Sequence, residues 1–495
     1  MSLHDEIEDL RENVLPFRPH EALERAEIMA KKYPDNAENL FFLATIYKSL
    51  SRLSEAAETF ERCHSVDQSS YMAIFNRAIC LWEQSKPEEA LEQFTRAARL
   101  AGADSILPAL LTGVTHHRLG VPDRAIESFQ APLKVAPTNA ALLYCLMNAE
   151  RDLGHRKDSE QYSRQLQKGF KRYSESSFDL VEFLQGYDYF GWKQWSDKDA
   201  FASSIRSWCH TTNKPWPDFL PTTYVMPSDM EALKAKAKVA KDPIWIVKST
   251  TLSASVGTHL VNEISNIKPE PGWIAQDYVK NPYLIKGRKF AIRIYALVSS
   301  YNPVRVYLFQ GGTAKIALRK YTTDPNSFHL TSVHTEHTRP DRHRDDLKAE
   351  LAADIGEKGW WTVDKLFLHL EKEGLRPAEI WNQARDIVST LIDAMIDNGF
   401  FDNHAPDGIR AAYGPKFFAL DLVLDENAKL WLSEIERSPT YNRIFNSDGS
   451  EGAIFESLAQ MAVCPFGDEH DIEAQVMIAK AHEKQHQGRF TLLYG

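Results

Sequence analysis

Lys289-Phe-Ala-Ile-Arg-Ile-Tyr-Ala-Leu-Val298 is the stretch from which the fold is read. Side chains alternate along an extended strand, so Lys289, Ala291 and Arg293 share one face while Phe290, Ile292 and Ile294 share the other. The second face suits a core. The first puts two cations on the inside of a sheet, where they need an anion. On either side, Ile244-Trp-Ile-Val247, Val304-Arg-Val-Tyr-Leu-Phe309 and Phe417-Phe-Ala-Leu-Asp-Leu-Val-Leu424 also read as short strands, with helices between some of them. The spacing predicts a mixed α+β unit.

Carboxylates sit where these strands ought to be apolar. Asp421 interrupts Phe417–Leu424, and Glu434 and Glu436 share a face of Leu430-Trp-Leu-Ser-Glu-Ile-Glu436. Three such groups repel one another unless they are protonated or bridged by a cation, and a hard divalent ion such as Mg²⁺ carrying nucleotide phosphates is the natural partner. Lys248 closes another strand and opens a run of small and hydroxyl residues ending at Ser255-Val-Gly257. That run reads either as a loop that bends over phosphates or as a plain polar hairpin. His334, His337, Arg339, Arg342 and His343 share no fixed spacing with a carboxylate or thiol and read as a solvated loop.

Upstream the chain repeats itself. Ala44, Tyr47, Ala56 and Phe60 return as Ala78, Leu81, Ala90 and Phe94; Gly113, Ala125, Phe129 and Pro137 form a third copy with a one-residue slip, and Ala22 and Pro34 mark a degenerate leading copy. The spacing resembles the tetratricopeptide repeat, in which small residues let antiparallel helices approach and an aromatic fills the gap. Each hairpin leaves an apolar face that only its neighbour covers, which predicts one solenoid. After Phe170 the polar run Tyr173-Ser-Glu-Ser-Ser177 marks a boundary.

From about residue 190 to 465, separate motifs follow one another in the order found in tubulin-tyrosine-ligase-like enzymes, which they resemble. They are Phe219-Leu-Pro-Thr-Thr-Tyr-Val-Met-Pro-Ser228, Trp245-Ile-Val-Lys248, Gln276-Asp-Tyr-Val279 running on to Tyr295, His329-Leu-Thr331, Asp421 and Leu432-Ser-Glu-Ile-Glu-Arg-Ser-Pro439. The resemblance implies an ATP-grasp module and assigns roles by position. Lys198 contacts nucleotide, and Lys248 reaches the inner phosphates with the loop at Ser255 and Gly257. Gln276, Asp277 and Tyr278 form the hinge facing adenine. Lys289 and Arg293 face the outer phosphate, with Lys315 beside them as a catalytic cation. His329 and Thr331 line the site, and Asp421, Glu434 and Glu436 hold the metal. The implied chemistry is an ATP- and Mg²⁺-dependent carboxylate–amine ligation: a carboxylate takes the γ-phosphoryl group as an acyl phosphate, and an amine then displaces phosphate.

The chain also departs from the family pattern. Ala291 replaces an aspartate, Ser255 a glycine, Ser332 an asparagine, Lys315 an arginine and Glu436 an asparagine. Ala291 and Ser332 remove polar groups, which opens an alternative: a catalytically impaired pseudo-ligase acting as a nucleotide-binding interaction scaffold.

The 495-residue chain exceeds what one core supports, and its 43% hydrophobic and 25% charged residues are those of a globular protein. A net charge of −10 argues against nonspecific nucleic-acid binding. Five scattered cysteines suggest neither a disulfide framework nor a zinc site. An acidic N-terminus and the lack of any long apolar run predict a cytoplasmic protein with no membrane partner. The expected organisation is a tetratricopeptide-like all-α solenoid over 1–170, a linker and N-terminal subdomain over 171–240, the ATP-grasp central and C-terminal subdomains over 241–465, and a helix and tail over 466–495. The closing helix should pack an apolar face on the catalytic module. The expected partners are a free amino acid and a protein or peptide acceptor recruited in part by the repeats.

Overall fold

The computed structural model describes residues 2–15, 19–102, 105–170, 180, 183–184, 192–250, 257–335, 344–356, 359–401, 415–437, 452–463 and 472–495, without the side chains of 193, 452–456 and 472–475. The N-terminal part is a helical solenoid: α1 (Leu3–Asp9), α2 (Pro19–Lys32), α3 (Ala37–Ser49), α4 (Leu53–Val66), α5 (Tyr71–Glu83), α6 (Pro87–Ala101), α7 (Ile106–Arg118), α8 (Pro122–Val135), α9 (Ala140–Asp152) and α10 (Arg156–Phe170). The first helices of successive hairpins start at residues 37, 71, 106 and 140, the period and the single slip that the sequence shows.

The hairpins α3–α4, α5–α6 and α7–α8 are each closed by one aromatic residue against one small one. Ala44, Ala78, Phe60, Phe94 and Phe129 are fully buried. A Cβ added to Gly113 would stand 2.2 Å from the Phe129 ring, so helix approach in the third copy depends on the absence of a side chain there. The α9–α10 hairpin escaped the repeat pattern because its pair is inverted. Met147 stands where the other copies have Ala or Gly, and Ser163 where they have Phe. Asn36 and Asn139 cap α3 and α9 by accepting the N–H groups of Asn39 and Leu142.

The remainder is α+β. After α11 (Trp192–Ser196) and α12 (Lys198–Thr212), strands β1 (Thr223–Val225), β2 (Trp245–Ser249), β3 (His259–Val261) and β4 (Trp273–Asp277) form an antiparallel sheet in the order β1-β4-β2-β3, backed by α13 (Met230–Val239). The larger sheet contains β5 (Phe290–Tyr301), β6 (Val304–Phe309), β7 (Thr313–Ile316), β8 (Trp360–Thr362), β9 (Lys416–Leu424), β10 (Leu430–Glu436) and β11 (Phe490–Tyr494). Its order is β10-β9-β5-β6-β11, with β7 on β5 and β8 on β7. Four helices lie in its connections: α14 (Thr331–His334), α15 (Asp345–Ile355), α16 (Val363–Lys372) and α17 (Pro377–Asp397). Two more, α18 (Gly452–Ala462) and α19 (Ile472–His486), precede β11.

The two faces of β5 behave as the alternation predicts. Phe290, Ile292, Ile294, Ala296 and Val298 pack with Leu420 and Leu422 of β9 against Ile387, Leu391 and Met395 of α17. The opposite face is divided along its length. Lys289, Ala291 and Arg293 come first; Tyr295 and Leu297 then join Tyr307, Phe417, Phe490 and the α18 residues Leu458 and Met461 in one apolar cluster with Leu166 and Phe170 of α10. Tyr295 stacks on Phe417 at 5.3 Å and 9°. Of the stretch read as a linker, Leu180, Phe183 and Leu184 are buried in this same cluster. At the other end of the solenoid the His20 ring lies 5.7 Å from that of Trp273 in the small sheet.

The C-terminal segment corrects its reading twice. The expected tail is β11, paired with β6 along the edge of the large sheet. The closing helix α19 does pack on the module, but through charge: the Arg305 guanidinium donates to both Glu483 oxygens at 2.9 and 2.8 Å, the Tyr307 hydroxyl donates to Glu483 at 2.9 Å, and all three are buried, whereas Met477 of the helix is 72% exposed.

Two stability predictions follow from this packing. Glu483→Ala strands the Arg305 cation and should cost about 3–5 kcal/mol in denaturant titrations, while Arg305→Met with Glu483→Leu should restore most of that loss. Gly113→Val should cost about 1–3 kcal/mol by overpacking, and Phe129→Leu in the same chain should recover part of it because the two positions share one space.

Candidate functional site

The site grows from an irregularity in β10. Strict alternation would place Leu430, Leu432, Glu434 and Glu436 on a single face, two leucines and two glutamates together. The pairing with β9 prevents this. Leu432 faces Leu422 and Glu434 faces Asp421, so the register shifts between them and Ser433 is the extra residue of a β-bulge. Leu430 and Leu432 stay in the core with Ile435, and Glu434 and Glu436 turn to the other face.

The bulge aligns three charges across three neighbouring strands. Arg293 faces Asp421 and Asp421 faces Glu434. Arg293 clamps Asp421 with two hydrogen bonds, Nε to Oδ1 at 2.7 Å and Nη2 to Oδ2 at 2.6 Å, and both residues are buried. Burial works against the Arg293 charge, but Asp421 outweighs it and holds the guanidinium firmly protonated. Lys198, the first residue of α12, meets Glu434 at 3.0 Å. Burial would neutralise both partners; mutual attraction, with Lys248 adding to the field at Glu434, wins, so the Glu434 carboxyl is held below and the Lys198 ammonium above the ordinary value. Part of the counter-charge that the sequence reading assigned to a divalent ion and to phosphate is thus supplied by these residues to one another.

Lys248 crosses from the small sheet to the large one. Its buried Nζ donates to Gln276 Oε1 at 3.0 Å and to the carbonyl and hydroxyl oxygens of Ser433 at 3.3 and 3.4 Å, so the bulge residue also receives the lysine. Gln276 passes the connection on by donating Nε2 to Thr223 Oγ1 at 2.9 Å.

The hinge is more committed than its sequence suggested. The N–H groups of Asp277 and Tyr278 already donate to the Thr222 and Ile244 carbonyls, and Asp277 alternates away from Gln276. Asp277 and Tyr278 line a groove with Trp216, Leu220 and Trp431, and burial pushes the Asp277 carboxyl up. Gly257 has φ +73°, and a Cβ there would meet the Trp273 ring at 2.9 Å; Ser255 lies outside the described residues.

On β7, Lys315 faces Ala291, and Thr313 faces Arg293. The Thr313 hydroxyl is buried without a hydrogen-bond partner among the described residues. Ser332 is not polarity lost: its hydroxyl accepts from Arg319 Nε at 3.1 Å.

Two expectations shift here. His329 sits in an exposed turn and Thr331 opens α14, and among the described residues no hydrogen bond or ion pair joins either to the charged row. His334, read as part of a solvated loop, is buried three residues after Thr331, with Nδ1 3.2 Å from the Tyr278 hydroxyl; His337, Arg339, Arg342 and His343 lie outside the described residues. Its local sequence is no different from that of the other histidines, so only packing could reveal it. Ser433 was missed for a different reason. The clue was present, since four even-numbered positions that alternate properly cannot be half leucine and half glutamate without a bulge.

Asp421, Glu434 and Glu436 could each offer oxygen to a hard divalent ion, but among the described residues their carboxylates do not converge as a ready-made three-ligand cluster, and Asp421 is already clamped by Arg293 and Glu434 by Lys198. A Mg²⁺ ion, which uses one or two carboxylates beside phosphate and water, could take these oxygens by exchanging partners with Lys198, Lys248 and Arg293, cations suited to phosphate.

The tubulin-tyrosine ligase family matches residues 184–460, more than half of the chain. Among curated proteins, mouse tubulin monoglutamylase TTLL4 is 30% identical over 224 residues, 45% of this chain and 18% of that protein. The probable tubulin polyglutamylase ttll-9 of Caenorhabditis elegans is 29% identical over 242 residues, covering 45% and 52%, and human tubulin polyglutamylase TTLL6 is 26% identical over 250 residues, covering 48% and 27%. This chain therefore spans about a fifth to a half of the length of these relatives.

A pH test follows from His334. Burial, with Lys289 adding repulsion, lowers its pKa to about 4, well below the usual value, so between about pH 6.5 and 4 the unfolded chain binds a proton that the native chain refuses. The contribution is fully present above the upper value and is lost as pH falls through the lower one. The stability of His334→Asn relative to wild type should therefore rise from pH 7 to pH 4.5, as read by urea midpoints.

Proposed function

This chain belongs to the tubulin-tyrosine ligase family, and on that premise we propose that it is an ATP- and Mg²⁺-dependent carboxylate–amine ligase that adds an amino acid to a protein acceptor. The observation that carries this reading is the aligned row Arg293–Asp421–Glu434, with Lys198 and Lys248 reaching it from outside the large sheet. ATP supplies the phosphoryl group that turns a carboxylate into an acyl phosphate, and Mg²⁺ neutralises charge on the phosphates when bound. Asp421 and Glu434 would hold the metal, with Glu436 as a third carboxylate. Lys248 and Lys198 would meet the inner phosphates and nucleotide, Lys289 and Arg293 the outer phosphate, and Lys315 the charge that develops beside Ala291. No protein nucleophile is required.

The names of the relatives make glutamate the first amino acid to test and tubulin the first acceptor. The solenoid is the candidate acceptor-recruiting surface, since its last hairpin shares a core with the sheet face that carries the charged row. A cytoplasmic setting accords with the unbridged thiols of Cys63, Cys145 and Cys209, and no described helix is long and apolar enough to cross a membrane. Ala291 favours a second reading. Its methyl group sits between Lys289 and Arg293 where family members carry a carboxylate, and a pseudo-ligase that binds nucleotide as a scaffold would keep every other group in the row.

ATP consumption with Mg²⁺ across a panel of amino acids, with intact-mass analysis of tubulin and other acceptors, separates the two. The ligase reading expects turnover and an added aminoacyl mass; ATP binding without turnover on any pair selects the scaffold. Mg-ATP at about a hundred times its Kd should stabilise the wild-type chain by about 2.7 kcal/mol, and Lys248→Ala should remove most of that shift. Glu434→Gln should cost more Mg²⁺-dependent ATP affinity than Glu436→Asn, because one of three carboxylates is expendable and the family pattern tolerates an amide at 436. The reverse order would reject the metal assignment.

A further inference from the structure

Behind the charged row, Lys289 heads a line of buried polar groups. Its Nζ lies 3.3 Å from the Tyr278 hydroxyl and 4.5 Å from the centre of that ring. The same hydroxyl is 3.2 Å from His334 Nδ1, and His334 Nε2 is 3.2 Å from both the carbonyl and the hydroxyl oxygen of Ser327. Lys289, Tyr278, His334 and Ser327 are all buried.

The roles follow from the Ser327 end of this line. A carbonyl oxygen only accepts, so His334 Nε2, which faces that of Ser327, carries the proton and donates. A neutral imidazole has one N–H and one acceptor, so Nδ1 is the acceptor and the Tyr278 O–H is the donor that faces it. An ammonium group only donates, so the Tyr278 oxygen accepts from Lys289. An imidazolium would set a second donor against the Tyr278 O–H and a second positive charge near Lys289; burial, with repulsion from Lys289, pushes His334 away from that form. Aromatic edges hold the ring in place: Tyr278 at 5.8 Å and 85°, Tyr321 at 6.0 Å and 86°, and Phe328 at 6.1 Å and 74°.

We propose that Tyr278 and His334 are positioning residues for phosphate binding, with a neutral, Nε2-protonated His334 orienting the Tyr278 hydroxyl so that it fixes the Lys289 ammonium. The long stem of lysine does not choose a direction by itself, and a fixed acceptor at its tip does. Tyr278 thus serves through its side chain, beyond the hinge role that its sequence position suggested. The phosphate part of this proposal rests on the ligase reading above; the proton arrangement does not.

Two measurements on the full chain test it. In ¹⁵N-histidine spectra of the nucleotide-free protein, with His334 assigned by its loss in His334→Asn, the ring should be neutral and Nε2-protonated at pH 7 and remain neutral at pH 5. An Nδ1–H tautomer or an imidazolium at pH 7 overturns the proposal. In Mg-ATP titrations, Tyr278→Phe and His334→Leu should each weaken affinity by about tenfold, a typical coupling between touching residues. His334→Asn, which keeps an oxygen acceptor near the Nδ1 position, should stay within about threefold of wild type. In a Lys289→Met background Tyr278→Phe should have no further effect, which a purely structural role for the tyrosine would not produce. Wild-type affinity in Tyr278→Phe, or an undiminished effect of that change without the lysine, overturns the positioning role. A wild-type chain that binds no ATP overturns the ligase reading and the phosphate role of Lys289 with it, whereas the spectra judge the proton arrangement in either event.

Discussion

A buried charge in a β-sheet persists only with a partner, and the α+β half of this protein is arranged around that requirement. Arg293, Asp421 and Glu434 stand side by side on three adjacent strands, and Lys198 closes the row from the start of a helix. Each charge meets its opposite, so the row is tolerated inside the protein. On the proposed reading, ATP and a divalent ion would exchange one set of partners for another instead of exposing bare charge.

The row exists because β10 is irregular. One extra residue, Ser433, moves two glutamates out of the face held by Leu430 and Leu432 and presents its own oxygens to Lys248. A single bulge therefore sets the carboxylate geometry and joins the two sheets at the point where nucleotide is expected. Ala291 leaves the strand intact, since a methyl packs readily, and stands on the same face of β5 between Lys289 and Arg293, opposite Lys315 of β7.

The strand that carries the cations also carries the solenoid. Beyond Arg293 the same face of β5 becomes Tyr295 and Leu297 and enters a core shared with α10 and α18, and the opposite end of the solenoid touches the small sheet at Trp273. The solenoid and the α+β unit thus meet in a common core near the charged row.

Sequence alone determined the parts that depend on periodicity and local chemistry. The helical repeat was legible because Ala44, Ala78 and Gly113 recur beside Phe60, Phe94 and Phe129, and the two faces of β5 were legible because alternation obeys the backbone. The expectation that Lys248, Lys289, Arg293, Asp421 and Glu434 belong together came from order along the chain and a family resemblance, and the structure brings Arg293, Asp421 and Glu434 side by side. Tertiary structure decided the rest. The α9–α10 hairpin was hidden because Met147 and Ser163 exchange the large and small positions, and β11 because five residues at a chain end look like a tail until they pair with β6. His334 and Glu483 carry nothing in their neighbours that separates them from solvated residues; His334 gained its place from three aromatic rings, one of them a tyrosine 56 positions away, and Glu483 from an arginine 178 positions away. Periodicity is a property of adjacent residues and can be read from them, whereas the desolvation that turns a histidine into a neutral acceptor, or a glutamate into an anchor, is created only when distant segments close over it.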